Sequence, residues 1–255
     1  MEMTIDKKIG ISDNGLRISD DGLRKTGERD MNAAPREGQR QAVAAEAARG
    51  AQAIAIPKLG FGKRFIKRGL DIAVAVVAGV VFCPLYLLIA LLIWLEDKHS
   101  PIFAQKRVGK DGKPFMLYKF RSMRIDAEKE GVPMLCAEQD DRLTKVGAFV
   151  RAHHLDEFPQ LWNVLMGTMS VVGPRPEREY FVERIIERKP EHVKLYALRP
   201  GLFSEATLRN GYTDTIEKMV RRTEMDLDYL EHQSFWLDIK VIWWTTLSIV
   251  GGKKF

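Results

Sequence analysis

The sequence has little cysteine and lacks the motifs of several common enzyme classes. Only Cys83 and Cys136 are present, 53 positions apart, which argues against a disulfide scaffold or a thiolate zinc site and favours a reducing compartment. There is no Walker motif, no glycine-rich dinucleotide loop, and no Ser-His-Asp or Cys-His arrangement. The N-terminus has no cleavable signal pattern, so we expect no secretion by that route.

The positive charge is concentrated in one part of the chain. Lys and Arg number 40 against 34 Asp and Glu, a net charge of +6, yet residues 1–58 carry ten basic and nine acidic residues. We expect residues 1–60 to form a poorly ordered cytosolic extension. From Lys106 to Arg124 there are seven basic residues and one acidic residue, which predicts an anionic partner.

One segment has the length and composition of a membrane helix. Ile72 to Leu95 is a run of 24 residues without a charge, and a straight helix of that length rises roughly 36 Å. Pro84 lies near its middle, which predicts a bend. Basic residues flank the segment on both sides: Lys63, Arg64, Lys67 and Arg68 before it, and Lys98, Lys106, Arg107, Lys110 and Lys113 after it. Both ends are therefore predicted to be cytoplasmic, with a simple crossing or a buried core helix as alternatives.

Three further elements can be predicted from local pattern. Pro114 to Met123 follows an Asp111-Gly112 turn and is typical of the second arm of a β-hairpin, on which Lys119 and Arg121 would share a face. Ile216 to Glu231 has the spacing of an amphipathic helix that packs on a core. Phe235 to Val250 contains three tryptophans and two charges, which favours a helix at a membrane interface over a buried core helix.

Adjacent carboxylates at Asp156 and Glu157 are the strongest candidates for chemistry. Pro159 is tolerated only in the first turn of a helix, so a helix is predicted to begin near Asp156, and a capping role would explain that residue. The alternative is phosphoryl transfer, because a carboxylate attacks phosphorus once cations neutralise the phosphate. Mg²⁺ binds through one or two protein carboxylates, so one residue would be the nucleophile and the other the metal ligand.

Two arginines are candidates for binding phosphate. Arg175 stands between two prolines in Gly173-Pro174-Arg175-Pro176, which indicates either a rigid turn or a pre-positioned guanidinium. Arg151 lies five residues before Asp156, where an exposed helix charge would look the same.

Five ordered motifs together resemble one family. All five come after Lys67-Arg68 and the apolar helix that is broken near Pro84. The motifs are Phe103 to Gly109 (FAQKRVG), Tyr118 to Met123 (YKFRSM), Asp141 to Gly147 (DRLTKVG), Leu155 to Val164 (LDEFPQLWNV) and Met169 to Pro176 (MSVVGPRP). Over roughly residues 63–250 the chain is similar to the bacterial monotopic phosphoglycosyl transferases, the sugar transferases that initiate exopolysaccharide, O-antigen and related glycans.

The resemblance implies a reaction and a fold. The reaction is transfer of a sugar 1-phosphate from a UDP-sugar to polyprenol (undecaprenyl) phosphate, with release of UMP, at the bacterial inner (cytoplasmic) membrane. The fold is α+β and membrane-associated (monotopic). It comprises a re-entrant helix-break-helix in residues 61–100, a small cytosolic catalytic domain with a short β-hairpin in residues 101–232, and an amphipathic, Trp-rich interfacial segment in residues 233–255.

The resemblance also implies residue roles. Asp156 would form an aspartyl phosphosugar intermediate, Glu157 would bind Mg²⁺, Arg151 and Arg175 would bind phosphate, and Lys119 and Arg121 match the family's strand motif. The helix would break at Cys83-Pro84, where many members have Ser before the proline.

Two other functions remain open at this stage. One is direct attack by the lipid phosphate, with Asp156 organising metal or base, and the other is a non-catalytic basic adaptor on the bilayer. We expect no nucleic-acid partner, because the basic cluster adjoins the membrane segment without a recognition motif. The apolar surface is compatible with a homodimer.

Overall fold

A bent pair of helices begins the described part of the chain. The computed structural model describes residues 60–127, 140–211 and 213–251, so most of the predicted extension at residues 1–60 lies outside them. Helix α1 (Phe61–Val81) and helix α2 (Cys83–Asp97) meet at Phe82. Pro84 lies in the first turn of α2, where its missing N–H breaks no helical hydrogen bond. The helix is therefore broken at Phe82, one residue before the predicted Cys83 and Pro84, and these two residues begin the second helix.

The bent pair is apolar and largely exposed. In the described residues no single helix is long and apolar enough to cross a membrane, whereas α1 and α2 together meet that criterion and are bent by 64°. Many of their large aliphatic side chains are exposed, among them Val77, Val80, Val81, Leu87 and Leu88.

The predicted β-hairpin follows. Strands β1 (Ile102–Val108) and β2 (Pro114–Phe120) pair antiparallel and are joined by a 3₁₀ turn at Lys110–Gly112. Asp111 and Gly112 both adopt positive φ, which is what the Asp-Gly signal predicted. Strand β2 ends at Phe120, so Arg121 lies just beyond it and does not belong to the strand.

The remaining elements are several short helices, two longer helices and a two-stranded parallel sheet. In chain order they are α3 (Lys145–Ala152), a 3₁₀ turn (Leu155–Glu157), α4 (Gln160–Met166), β3 (Ser170–Val172), α5 (Glu179–Arg188), a 3₁₀ helix (Pro190–Ala197), β4 (Gly201–Phe203), α6 (Glu205–Asn210), α7 (Ile216–His232) and α8 (Phe235–Val250). Strand β3 pairs with β4. The predicted amphipathic helix is confirmed as α7, which buries Met219, Thr223 and Leu230.

Two hydrophobic cores tie the bent pair to the rest of the chain. The first buries Ala75 of α1 with Val164, Val171, Tyr229 and Val241, which come from α4, β3, α7 and α8. The second buries Ile89 and Ile93 of α2 with Phe120 and Val150. Helix α8 buries Asp238 and Val241, while Trp236, Trp243 and Trp244 are more than half exposed.

Candidate active site

The two adjacent carboxylates lie in a turn between two helices. His154 adopts a left-handed conformation (φ 55°) and is followed by the 3₁₀ turn at Leu155–Glu157. Helix α4 begins only at Gln160, with no side-chain cap, so the expectation that it begins near Asp156 is wrong. Pro159 has no N–H with which to continue a helix through Leu155, and the tighter turn takes its place. Asp156 is thereby left available for other contacts.

Two cations bind one oxygen of Glu157. Lys119 Nζ lies 3.1 Å from Glu157 Oε1, and Arg175 Nη2 lies 2.8 Å from the same oxygen. Burial by itself raises the pKa of Glu157, but Arg175 and Lys119 outweigh it and bring that pKa far below its ordinary value. Glu157 is therefore a carboxylate throughout the physiological pH range.

Asp156 has a different environment from its neighbour. It is largely buried, and the closest charge is Lys119, whose Nζ is 3.8 Å from Asp156 Oδ2. Burial raises the pKa of Asp156, Lys119 lowers it, and the charge of Glu157 raises it further, with Arg151 and Arg175 opposing. The net result is a raised pKa, which makes the ionised form more basic than an exposed carboxylate.

The loop that carries Arg175 is fixed on both sides. Gly173 N–H donates to Phe203 O (3.0 Å) and Gly201 N–H donates to Pro174 O (2.8 Å). Asp226 of α7 accepts hydrogen bonds from the Arg175 backbone N–H and from Ser204 Oγ (2.9 Å). The guanidinium is thus presented to Glu157 from a rigid backbone.

Buried charges on α7 support this loop and were missed by sequence reasoning. Arg222 forms an ion pair with Glu177, which also lies 3.5 Å from Arg107 Nη1. Arg222 and Asp226 are spaced as i and i+4 on the same face as the buried Met219 and Thr223. Charges at core positions of an amphipathic helix are the sequence signal that could have identified them.

A second missed residue, Asn163, joins β2 to α4. Its side-chain carbonyl accepts the Tyr118 N–H (3.1 Å), and its amide donates to Met116 O (2.7 Å) and Thr168 Oγ1 (3.2 Å). Asn163 is 2% exposed. It fixes the register between the strand that carries Lys119 and the helix that follows Asp156 and Glu157.

Lys67 and Arg68 attach α1 to the site-bearing elements. Lys67 Nζ contacts Asp238 Oδ2 (2.6 Å) and Val172 O (3.0 Å), while Arg68 donates to the carbonyls of Val164 (2.7 Å) and Leu165 (3.0 Å) in the last turn of α4. Lys67 and Arg68, two of the basic residues that the charge argument placed before the membrane segment, are therefore engaged within the protein.

The structure brings together most of the predicted site residues. Lys119, Asp156, Glu157 and Arg175 are in contact, and Arg151 lies close enough to affect the pKa of Asp156. Arg121 makes no ion pair with either carboxylate, and its buried Nη1 has no hydrogen-bond partner among the described residues. Cys83 and Pro84 lie at the helix break, in the first turn of α2, and form no ion pair with these residues.

The carboxylates suit a hard divalent cation that arrives with a substrate. Glu157 Oε2 accepts no hydrogen bond from the described residues, and the ionised carboxylate offers it as an oxygen ligand. Within these same residues there is no group of three or more metal-binding side chains. Mg²⁺ commonly binds through one or two carboxylates and completes its coordination with water and phosphate oxygens, so this donor set fits it.

Comparison with known proteins assigns the family. A profile of the bacterial sugar transferase family matches residues 62–252, and this chain belongs to that family. It is 39% identical over 188 residues to the UDP-N-acetylgalactosamine-undecaprenyl-phosphate N-acetylgalactosaminephosphotransferase of Aeromonas hydrophila, a match that covers 74% of this chain and 44% of that protein. The chain therefore spans less than half the length of that relative.

Two shorter relatives align over more of their length. The UDP-glucose:undecaprenyl-phosphate glucose-1-phosphate transferase of Caulobacter vibrioides is 41% identical over 187 residues, covering 72% of this chain and 69% of the relative. The exopolysaccharide production protein PSS of Rhizobium leguminosarum bv. phaseoli is 38% identical over 200 residues, covering 74% of this chain and 98% of the relative.

Proposed function

We propose that this protein transfers a sugar 1-phosphate from a UDP-sugar to polyprenol (undecaprenyl) phosphate, as the first membrane step in assembly of an exopolysaccharide, O-antigen or related glycan. The observation that carries the proposal is the contact of Asp156 and Glu157 with Lys119 and Arg175 beside an apolar helix pair. The named activities of the Aeromonas and Caulobacter relatives support the same reaction class.

Asp156 is the nucleophile in this proposal. A carboxylate oxygen of Asp156 attacks the sugar-bearing β-phosphorus of the UDP-sugar, the bond from that phosphorus to the bridging oxygen breaks, and UMP leaves. An oxygen of polyprenol phosphate then attacks the same phosphorus, which releases the Asp156 carboxylate and yields polyprenyl-diphospho-sugar. Its raised pKa makes Asp156 a stronger nucleophile, and Lys119 stabilises the ionised form.

The cations supply the electrostatic part of the reaction. Arg175 and Lys119 form ion pairs with Glu157, and the charges of Lys119, Arg151 and Arg175 all lower the pKa of Asp156 and so favour its ionised form. Such cations stabilise charge on a transferring phosphoryl group. Glu157 would hold Mg²⁺ through Oε2, and the ion, when bound, would neutralise substrate phosphate oxygens.

A trapping experiment tests the nucleophile. Purified protein with Mg²⁺ and a radiolabelled UDP-sugar, but no lipid acceptor, should acquire a label that is chased by polyprenol phosphate with release of polyprenyl-diphospho-sugar. Asp156→Asn should acquire no label and release no UMP. Full turnover without any trapped label would favour direct attack by the lipid phosphate, and undiminished turnover of Asp156→Asn would overturn the assignment.

We also propose that α1 and α2 form a re-entrant membrane segment with both ends on the cytosolic face. The N-terminal part of α1 is attached through Lys67 and Arg68 to β3, α4 and α8, and the end of α2 is attached through Glu96 to α3. Both ends thus contact elements of the same catalytic domain, which supports a segment that enters and leaves the bilayer on one side. The exposed aliphatic surface between them suits lipid.

Cysteine labelling tests this topology. In a background with Cys83→Ser and Cys136→Ala, single cysteines at the exposed positions Lys63 and Lys98 should both react with a membrane-impermeant reagent only after the cytosolic face is opened. A cysteine at Val80, in the exposed apolar part of α1, should stay unreactive as a control. Labelling of either end from the periplasmic side would establish a crossing helix.

A further inference from the structure

The second arm of the bent pair forms the back of the active site. Ile89 and Ile93 of α2 lie in a hydrophobic core in which Phe120 and Val150 are also buried. Leu155 and Phe158 pack against this core. Each of these four side chains is the chain neighbour of a site residue: Phe120 of Lys119, Val150 of Arg151, Leu155 of Asp156 and Phe158 of Glu157. A change in the position of α2 would therefore shift the backbone next to four site residues.

Glu96, at the end of α2, makes the only polar link found in the described residues between this arm and helix α3. Its Oε1 accepts the Lys145 N–H (2.8 Å) and its Oε2 accepts the Val146 N–H (3.1 Å). Thr144 Oγ1 accepts the next amide, that of Gly147 (2.9 Å). The first amides of a helix have no partner within it, so Glu96 satisfies two of them and Thr144 a third.

Helix α3 leads directly into the reacting turn. It is two turns long, carries Arg151 in its last turn, and is followed after His153 and His154 by the 3₁₀ turn of Asp156. The charge of Arg151 lowers the pKa of Asp156, so the two side chains are electrostatically coupled. A helix this short has little stability of its own, and loss of contacts at its start can shift or fray its end.

We infer that Glu96 is a positioning residue, which holds α3 so that Arg151 faces the substrate phosphate at Asp156. The inference rests on the proposed function, and it adds to it a role for the cytosolic end of the membrane helix. Glu96 is exposed and lies outside the site, so it acts through the backbone of α3 and touches no substrate. A carboxylate at a helix N-terminus also interacts favourably with the helix dipole.

The chain offers a matched control. Asp97 is the next residue and carries the same charge at the same membrane-proximal position. Among the described residues its Oδ1 contacts only the nearby His99, whose backbone N–H donates to it (3.0 Å) and whose Nδ1 lies 3.9 Å away. Glu96→Ala and Asp97→Ala therefore remove equal charge, but only the first removes the two hydrogen bonds to α3. Glu96→Gln keeps one carbonyl oxygen as an acceptor and should restore part of the effect.

The experiment measures UMP release and backbone amide hydrogen exchange on the whole 255-residue chain in lipid nanodiscs. Glu96→Ala should lower kcat by about tenfold with a smaller change in KM for the UDP-sugar, since misplacement by about 1 Å weakens interactions made in the transition state. Glu96→Gln should be intermediate and Asp97→Ala close to wild type. Exchange over residues 145–157 should accelerate in Glu96→Ala and not in Asp97→Ala.

A double variant tests whether Arg151 is the group through which Glu96 acts. Arg151→Ala with Glu96→Ala should be no slower than Arg151→Ala alone, whereas two losses that multiply would overturn the inference. Equal exchange in Glu96→Ala and Asp97→Ala would also overturn it, whatever the activity. Failure of the proposed function would be recognised separately, as a wild-type protein that releases no UMP with any UDP-sugar while the exchange difference persists.

Discussion

The contact between Lys67 and Asp238 allows a quantitative prediction about how α1 is held. Asp238 is 2% exposed and accepts two hydrogen bonds, from Lys67 Nζ (2.6 Å) and from Tyr229 Oη (2.5 Å). Hydrogen bonds to charged groups contribute about 1.5–3 kcal/mol each, so losing both would cost about 3–6 kcal/mol. The Lys67 side chain is 19% exposed and keeps its bond to Val172 O, so water can replace part of its loss. We expect Asp238→Ala to lower the free energy of unfolding by about 3 kcal/mol.

Two further variants separate the ion pair from the packing around it. Asp238→Asn keeps an acceptor for Tyr229 and loses only the attraction to Lys67, so it should cost about half as much. Lys67→Met with Asp238→Leu replaces the pair by apolar side chains and should recover at least half of the stability lost in Asp238→Ala. The reason is that removing one partner leaves the other charge unpaired, whereas removing both leaves no such charge.

The measurement is chemical unfolding of the protein in detergent micelles, followed by tryptophan fluorescence. A loss below about 1 kcal/mol for Asp238→Ala would show that solvent replaces both contacts and that the pair does not anchor α1. Lys67→Met and Asp238→Leu are also measured singly. A loss in the double variant that equals the sum of these two single losses would show that Lys67 and Asp238 are not coupled.

Three other predictions concern the catalytic domain. A Cβ on Gly147 would overlap the backbone carbonyl of Ser122, so Gly147→Ala should destabilise the protein by at least about 2 kcal/mol in the same unfolding assay, whereas Gly69→Ala, which meets open space, should not. Burial raises the pKa of Asp226 to about 7, so its contribution to stability is complete only below the ordinary pKa of 3.8 and is lost as pH rises through 7. The difference in Tm between Asp226→Asn and the wild type should therefore shift in favour of the variant between pH 5 and pH 8. A difference that stays constant with pH would contradict this. Asn163→Leu should cost at least about 2 kcal/mol and slow UMP release, because two backbone groups of β2 lose their partner; an unchanged Tm and rate would refute that role.

Local pattern predicted the elements of the fold well. The bend next to Pro84, the hairpin turn at Asp111 and Gly112, and helix α7 each depend on backbone preferences and periodicity within a few residues. The start of α4 was misplaced because Pro159 is compatible both with a helix that begins before it and with a separate 3₁₀ turn. Short-range rules do not distinguish those two outcomes.

The candidate site was only partly accessible from sequence. Asp156, Glu157 and Arg175 stand in unusual local contexts, and this made them visible. Asn163 and Glu96 do not, since the partners by which they join separate elements lie between 45 and 50 residues away and are backbone groups, which carry no sequence signature. Contacts of that kind become evident only once the tertiary arrangement is known.

The hydrophobic cores that α1 and α2 share with the catalytic domain affect whether that domain can be joined to a different membrane anchor. Ala75 fills space beside Val171 and Val241, and Ile89 and Ile93 cover Phe120, so residues 61–97 supply part of the interior. Exchanging this segment for an unrelated hydrophobic anchor would keep the chain at a bilayer but would open two cavities in the domain. Fusion or transplantation experiments should therefore retain the helix pair with the domain, because the two share their hydrophobic cores.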